Sequence, residues 1–354
     1  MCLQNGCTHH RKIGYLLLIT LLVLVSGCSN SAYPIDHEQL SEDERIVIRF
    51  SHVVGEQTPK GLAARKFAKL VKERSNGFIE VQVFPNGNLY KDGEELDALN
   101  RGDIQMVAPS TSKLTPIVPE WQVMDLPFAF RNSSDVQDYL QGEIGQKLLA
   151  KLNKEGLYPL GIWDNGFKQM TSQYGPLIKP KDFAGQRFRV MPSTVIEDQF
   201  KALQVDTQIH SFDEVYQLLN NGIIDGQENT FSNIVSKDLH SLQNYLTISD
   251  HGYLGYVVLM NLEFWESLSL DVQKLLTDTF REVTEWEVEL AQELNEKNQQ
   301  DIEQCGCIEI HRLTEEEKQL WEDALQPVYR NFEDRFRAEY IEQLPKNKEA
   351  QASH

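Results

Sequence analysis

Cysteine is scarce in this 354-residue chain, with five residues, and Cys2, Cys7 and Cys28 sit near the N-terminus. If the leading segment is removed, only Cys28, Cys305 and Cys307 remain, which excludes a framework of disulfides. Cys305-Gly306-Cys307, followed by His311, falls short of the four ligands that a structural zinc site takes, so no metal is expected and the two cysteines are expected to carry no function. Positive charge is also in short supply: 34 Lys and Arg face 53 Asp and Glu, for a net charge of −19. That balance excludes a nucleic-acid partner, which needs clustered cations. It also repels anions globally, so an anionic ligand must be held by local cationic groups. Gly-x-Ser-x-Gly, His-Glu-x-x-His and a phosphate-binding Gly-rich loop are all missing. Nothing therefore points to an enzyme such as an exported hydrolase, and no cofactor is expected.

What is present begins with a leader. Arg11 and Lys12 precede an uncharged run, Ile13 to Val25, that ends in Val25-Ser26-Gly27-Cys28. The run is too short for a stable membrane span, which takes about 20 residues, and its flanks are those of a secretory signal. The cysteine directly after small residues looks like a bacterial lipobox, with Cys28 lipidated as the mature N-terminus. The expected organisation is a lipoprotein signal peptide at 1–27 and a polar flexible tether at 28–44. The body then lies outside the cytoplasmic membrane and is held to it by lipid.

The body alternates strands and helices. Ile46 to Phe50 reads as a strand. Thr58-Pro59 caps a helix bearing Ala63, Phe67, Leu70 and Val71 on one face. Phe78 to Phe84 alternates as a strand, Asp92 to Asn100 reads as a helix, and Ile104 to Ala108 as a strand. The same order returns with strand Arg187 to Val190, helix Thr194 to Leu203, strand Val205 to Ile209, helix Asp213 to Asn220 and strand Ile223-Ile224. Repeated β-α-β order predicts parallel sheets covered by helices. Asp271 to Gln304 has neither Pro nor Gly and predicts a helix of roughly 50 Å, longer than one lobe and expected to brace both. Glu315 to Tyr340 is amphipathic, and its Trp321, Leu325, Tyr329, Phe332 and Phe336 are most simply core-facing. The fold class expected is α/β, two-lobed and periplasmic-binding-protein-like, with a ligand cleft between the lobes. Residues 45–165 and 255–294 are assigned to lobe I, 166–254 and 295–345 to lobe II, and 346–354 to a disordered tail. Sites in such sheets form beyond the carboxyl ends of the strands. Ser51-His52, Ala108-Pro109-Ser110, Arg189 and Asp225 to Asn229 are delivered there.

Seven motifs occur in order: Ala108-Pro109-Ser110-Thr111-Ser112-Lys113, Asp125-Leu126-Pro127-Phe128, Trp163-Asp164-Asn165-Gly166-Phe167-Lys168, Gly185-Gln186-Arg187-Phe188-Arg189-Val190, Glu214-Val215-Tyr216, Asp225-Gly226-Gln227-Glu228-Asn229 and His251-Gly252-Tyr253-Leu254-Gly255-Tyr256. Together they resemble the extracytoplasmic binding subunit of TRAP transporters, the tripartite ATP-independent periplasmic family, in its C4-dicarboxylate branch. The resemblance runs from about Ile46 to about Tyr340. It implies a binding protein that carries a small organic dianion to membrane permease subunits and acts as a monomer. It implies that Arg189 is the central carboxylate contact, that Asn229 supports it, and that Lys168 balances the second charge, with Lys113 a further candidate. Arg187 departs from the family pattern, where Lys is usual.

The chemistry of these side chains agrees. Arg grips a carboxylate through a planar fork and keeps its charge when buried. Lys is a point charge suited to a carboxylate of variable placement. Asn can donate to a carboxylate and accept from a hydroxyl. Without the resemblance, Arg189 reads equally as an internal salt bridge. His52 reads as a cleft residue or a hydrogen-bonded structural histidine, Ser110 as a cleft residue, and Trp163 and Tyr253 as cleft walls or core. Another organic acid, a 2-oxo acid or sugar acid, or a ligand-loaded co-receptor role for a sensor kinase, remain open at this point.

Overall fold

The computed structural model describes residues 45–345. The signal segment, Cys28, the tether and the tail from 346 lie outside the described residues.

Local sequence accounts for the first helix well. Strand β1 (Ile46–Ser51) leads into α1 (Pro59–Arg74), where the Thr58 side chain accepts from Gly61 N and Pro59 occupies the first turn. Ala63, Ala64, Phe67 and Val71 are buried, and Lys72 and Arg74 sit in the last turn, where the helix dipole favours cations. Strand β2 (Ile79–Phe84), helix α2 (Glu95–Asn100) and strand β3 (Met106–Val107) follow. Then come α3 (Ser133–Gln141), α4 (Glu143–Lys154) and a long strand β4 (Leu157–Ser172). The second β-α-β series is β5 (Arg187–Val190), α5 (Thr194–Ala202), β6 (Asp206–Ile209), α6 (Val215–Asn220) and β7 (Gly226–Asn229). Helix α7 (Phe231–Ser236), the long strand β8 (Tyr245–Asn261), α8 (Leu262–Ser267) and α9 (Leu270–Cys305) come next. Strand β9 (Glu309–Arg312), α10 (Glu315–Arg335) and α11 (Glu339–Glu342) end the described chain.

The sheet order is β2-β1-β3-β8-β4-β7-β5-β6, with β9 also on β8. Parallel strands β2, β1 and β3 form one half, and parallel β7, β5 and β6 the other. Antiparallel β4 and β8 run through both and join them. Their pairing slips at three points, one between Asp164 and Gly166. Gly166 there has φ +99°, a conformation that side chains rarely adopt. Helix α9 spans about 54 Å at 1.5 Å per residue and packs on α1, β4 and α7, so it braces both halves. Its Phe280 stacks on Trp163 at 5.4 Å, and its Asn295 side chain donates to Asn165 O and accepts from Ser232 N.

Several expected boundaries move. Ile223-Ile224 is irregular loop, not strand; the strand is Gly226–Asn229, whose polar side chains hide it from hydrophobic pattern. Helix α2 begins at Glu95, which leaves Asp92 in the preceding loop. Strand β3 is only Met106–Val107. Pro327 lies inside α10 without ending it, because Trp321, Leu325, Val328 and Phe332 anchor the helix on both sides. Cys305 and Cys307, expected to carry no function, form a disulfide across Gly306, whose φ of +60° turns the chain at the end of α9. His311 bonds Glu317 instead of approaching the sulfurs; His240 is the histidine beside them. With both sulfurs in the disulfide, that cluster offers one free ligand atom. Among the described residues, no helix is long and apolar enough to cross a membrane.

Candidate functional site

Beyond the carboxyl ends of β1, β3, β5 and β7 lies a cavity with about 370 Å³ of space unfilled by atoms, counted with its mouth. Lys60, Lys113 and Arg189 line it together with Asp92 and Glu95. Cations outnumber acids here, in a chain that is strongly acidic overall.

Each cation is fixed by a different element. In β5, Phe188 and Val190 point into the core, and alternation sends Arg187 and Arg189 to the other face. Arg187, near the strand's start, is held by Asp225 at 2.7 Å and does not reach the cavity. Arg189, near its end, is 2% exposed. Its Nε donates to His210 O at 2.9 Å, and its Nη2 lies 3.8 Å from Asp92 Oδ2. Lys113 Nζ is 3.0 Å from the same Asp92 oxygen, which also accepts from Phe212 N at 2.7 Å. Lys60 donates to Ala108 O at 2.8 Å and sits 3.5 Å over the Tyr256 ring. Burial pushes Lys60 down to about 8, against the pull of Glu95 and Asp92. Burial pushes Glu95 up to about 8, against the pull of Lys60.

Asn229 ends β7. Its Oδ1 accepts from Thr230 N at 3.1 Å and Asn233 Nδ2 at 2.9 Å, so its amide nitrogen is the group left to donate toward the cavity. Ser110, bridged to Tyr256 in the sheet, lines the wall beside Met191.

The structure thus brings together Arg189, Asn229, Lys113 and Ser110. It sets the other candidates elsewhere. Lys168 Nζ bonds Glu228 Oε1 at 2.6 Å, both side chains 1% exposed, and Lys168 does not line the cavity. His251 Nε2 meets the other Glu228 oxygen at 2.8 Å. Burial alone would raise Glu228, but Lys168 and the His251 hydrogen bond outweigh it and hold the carboxyl at about 2. His52 is fully buried; burial and then the nearby Lys60 lower it to about 3, so it is neutral. Trp163 packs in the core and donates to Thr284 Oγ1 at 3.1 Å. Tyr253 stands in an aromatic cluster with Phe130 and Phe167.

Sequence reasoning missed Lys60, Asp92 and Glu95. A signal existed for Lys60: a lysine in the first turn of a helix opposes the helix dipole, and α1 has no acid there to offset it. Asp92 and Glu95 lie in the run Asp92-Gly93-Glu94-Glu95, which reads as solvated surface. A hollow beside Lys147 and Lys151 is also basic, but those cations are already paired with Glu143, Glu339 and Glu120.

Over 309 residues, the chain is 48% identical to the C4-dicarboxylate-binding protein DctB of Bacillus subtilis, covering 87% of this chain and 88% of that protein. A TRAP periplasmic solute-binding protein from Shewanella oneidensis, solved with bound succinate, is 40% identical with a TM-score of 0.84, covering 86% of this chain and 99% of that one. A TRAP periplasmic solute-binding protein from Pseudomonas aeruginosa, solved with bound L-malate, is 35% identical with a TM-score of 0.79, covering 81% of this chain and 99% of that one. Residues 50–335 match the DctP family, and the chain belongs to that family, the bacterial extracellular solute-binding proteins of family 7.

Proposed function

We propose that this chain captures a C4-dicarboxylate such as succinate, malate or fumarate between its two halves and hands it to the membrane subunits of a TRAP transporter. The observation that carries the reading is the cavity itself, where buried cations from both halves converge. Arg189 and Asn229 come from the half containing β5 and β7 and take one carboxylate. Lys60 and Lys113 come from the half containing β1 and β3 and take the other. Lys168 is neutralised by Glu228 and serves that wall from behind. The relatives named or solved with C4-dicarboxylates support the ligand class.

The two halves close on the ligand as rigid bodies about a hinge. The proposed lobe boundary, 165/166 and 254/255, falls where β4 and β8 slip in register at Gly166, with α9 crossing near Asn295. The protein works as a monomer, exported by its leader and held to the membrane through lipid on Cys28. Small-angle scattering should show a smaller radius of gyration at saturating ligand. Calorimetric titration with succinate and with butyrate, its matched monocarboxylate, tests the central claim. Succinate should bind far more tightly; no succinate binding, or equal affinity for both, would sink it.

A further inference from the structure

We infer that Glu95 enters the ligand complex as a neutral carboxylic acid that donates a hydrogen bond to the bound dianion, so that dicarboxylate binding and protonation of Glu95 are linked. The inference rests on the dicarboxylate reading above.

Its ground is geometric. Glu95 is the first residue of α2, is 2% exposed and lines the cavity. Its Oε2 is sequestered without a hydrogen-bond partner. Among the described residues, no ion pair or hydrogen bond includes the Glu95 carboxyl, although cations line the same cavity. Lys113 and Arg189 lean on Asp92, and Lys60 donates to Ala108 O and covers the Tyr256 ring. A buried carboxylate without a partner is costly, and the remedy open to this one is a proton.

The groups that face Glu95 come from every neighbouring element. Lys60 on α1 and Lys113 after β3 attract its charge, whereas Asp92 in the loop before α2 and Asp213 after β6 repel it. Tyr256 on β8 and Arg189 on β5 complete the wall. Burial outweighs the lysines and lifts the carboxyl to about 8. With Glu95 neutral, Lys60, Lys113 and Arg189 against Asp92 leave an excess of two positive charges, the complement of a dianion. With Glu95 ionised, the excess falls to one, and the dianion would meet a second buried carboxylate. A bound dianion raises the Glu95 value further, as any nearby like charge does. The protonated oxygen then donates where an ionised one would repel.

Succinate titrated in two buffers of different ionisation enthalpy reads the proton count directly. In the wild-type protein, uptake should be near zero at about pH 7 and approach one proton at about pH 9, while Kd rises about tenfold between them. In Glu95→Gln, which donates at every pH without a proton to gain, the uptake at the higher pH should fall and the Kd ratio should shrink. Lys60 is the rival proton acceptor. If Glu95→Gln takes up as many protons as wild type and Lys60→Met abolishes the uptake, Lys60 is the carrier and the proposal is overturned. Absence of uptake at about pH 9 in the wild-type protein alone also overturns it. Failure of succinate to bind at about pH 7 is a different result: it removes the dicarboxylate reading itself and this proposal with it.

Discussion

Two buried clusters of charge lie close together in this fold and are built on opposite plans. Around Glu228, Lys168 and His251 occupy both carboxylate oxygens, and Ser249 meets the far side of the imidazole at 2.8 Å. Around the cavity at the strand ends, Lys113 and Arg189 share Asp92 incompletely, Lys60 turns to Ala108 O and the Tyr256 ring, and Glu95 Oε2 has no hydrogen-bond partner among the described residues. The first cluster is closed by its own partners; the second is left with donors in excess. Burial of a cation does not tell the two plans apart, since Lys168 and Arg189 are buried alike. What separates them is whether the chain itself supplies the counter-charge.

Breaking the closed cluster should have the largest effect on stability. Glu228→Gln strands Lys168 in the interior and should cost about 3–5 kcal/mol in chemical denaturation. Pairing it with Lys168→Met should recover much of that loss, because replacing both partners removes the stranded charge. If the single and double variants are equally unstable, the closed-cluster account is wrong.

Breaking the open cluster should act on affinity instead. Arg189→Ala should weaken succinate binding by about 2–5 kcal/mol, tens to thousands of times, with little change in melting temperature. Arg189→Lys should also be severe, since a point charge cannot reproduce the fork. Lys60→Met should weaken succinate more than butyrate. Equal losses on both ligands would take the distal carboxylate away from Lys60.

The two clusters should also give opposite pH slopes. Glu228 is held at about 2 against an ordinary 4.5, so its contribution to stability is present above about pH 4.5 and is lost as pH falls toward 2. Glu95 is lifted from 4.5 to about 8, so its cost enters as pH rises through that interval. Urea midpoints across pH for wild type, Glu228→Gln and Glu95→Gln check this: each variant should flatten only its own limb.

The smallest effect belongs to the disulfide at the end of α9. A loop this short removes little chain entropy, so Cys305→Ser with Cys307→Ser should cost no more than about 2 kcal/mol. It should leave succinate affinity unchanged in the same titration. A loss of affinity would tie this exposed turn to the site.

Much of this protein is written locally. The Thr58-Pro59 cap, the uninterrupted α9 and the repeated strand and helix order follow from residues within a few positions of one another, because caps and periodicity are short-range. Arg189 and Asn229 were picked out by the family resemblance, and the structure places both at the cavity, at the ends of the second β-α-β series. The crossing strands β4 and β8 were not, since Pro159, Gly161 and Gly166 look like breaks until bulges in β4 itself let its pairing with β8 continue past them. The partners of buried charge were not legible either. Lys168 looked like a ligand contact from its motif, and only the sheet, which sets Glu228 against it from 60 residues away, cancels its charge. Lys60, Asp92 and Glu95 belong to three separate pieces of helix and loop that read as ordinary surface, and come to line one cavity only through tertiary packing. Sequence determined which side chains could hold a dianion; tertiary structure decided which of them still had charge to give, because that depends on what lies across space and not on what is next in the chain.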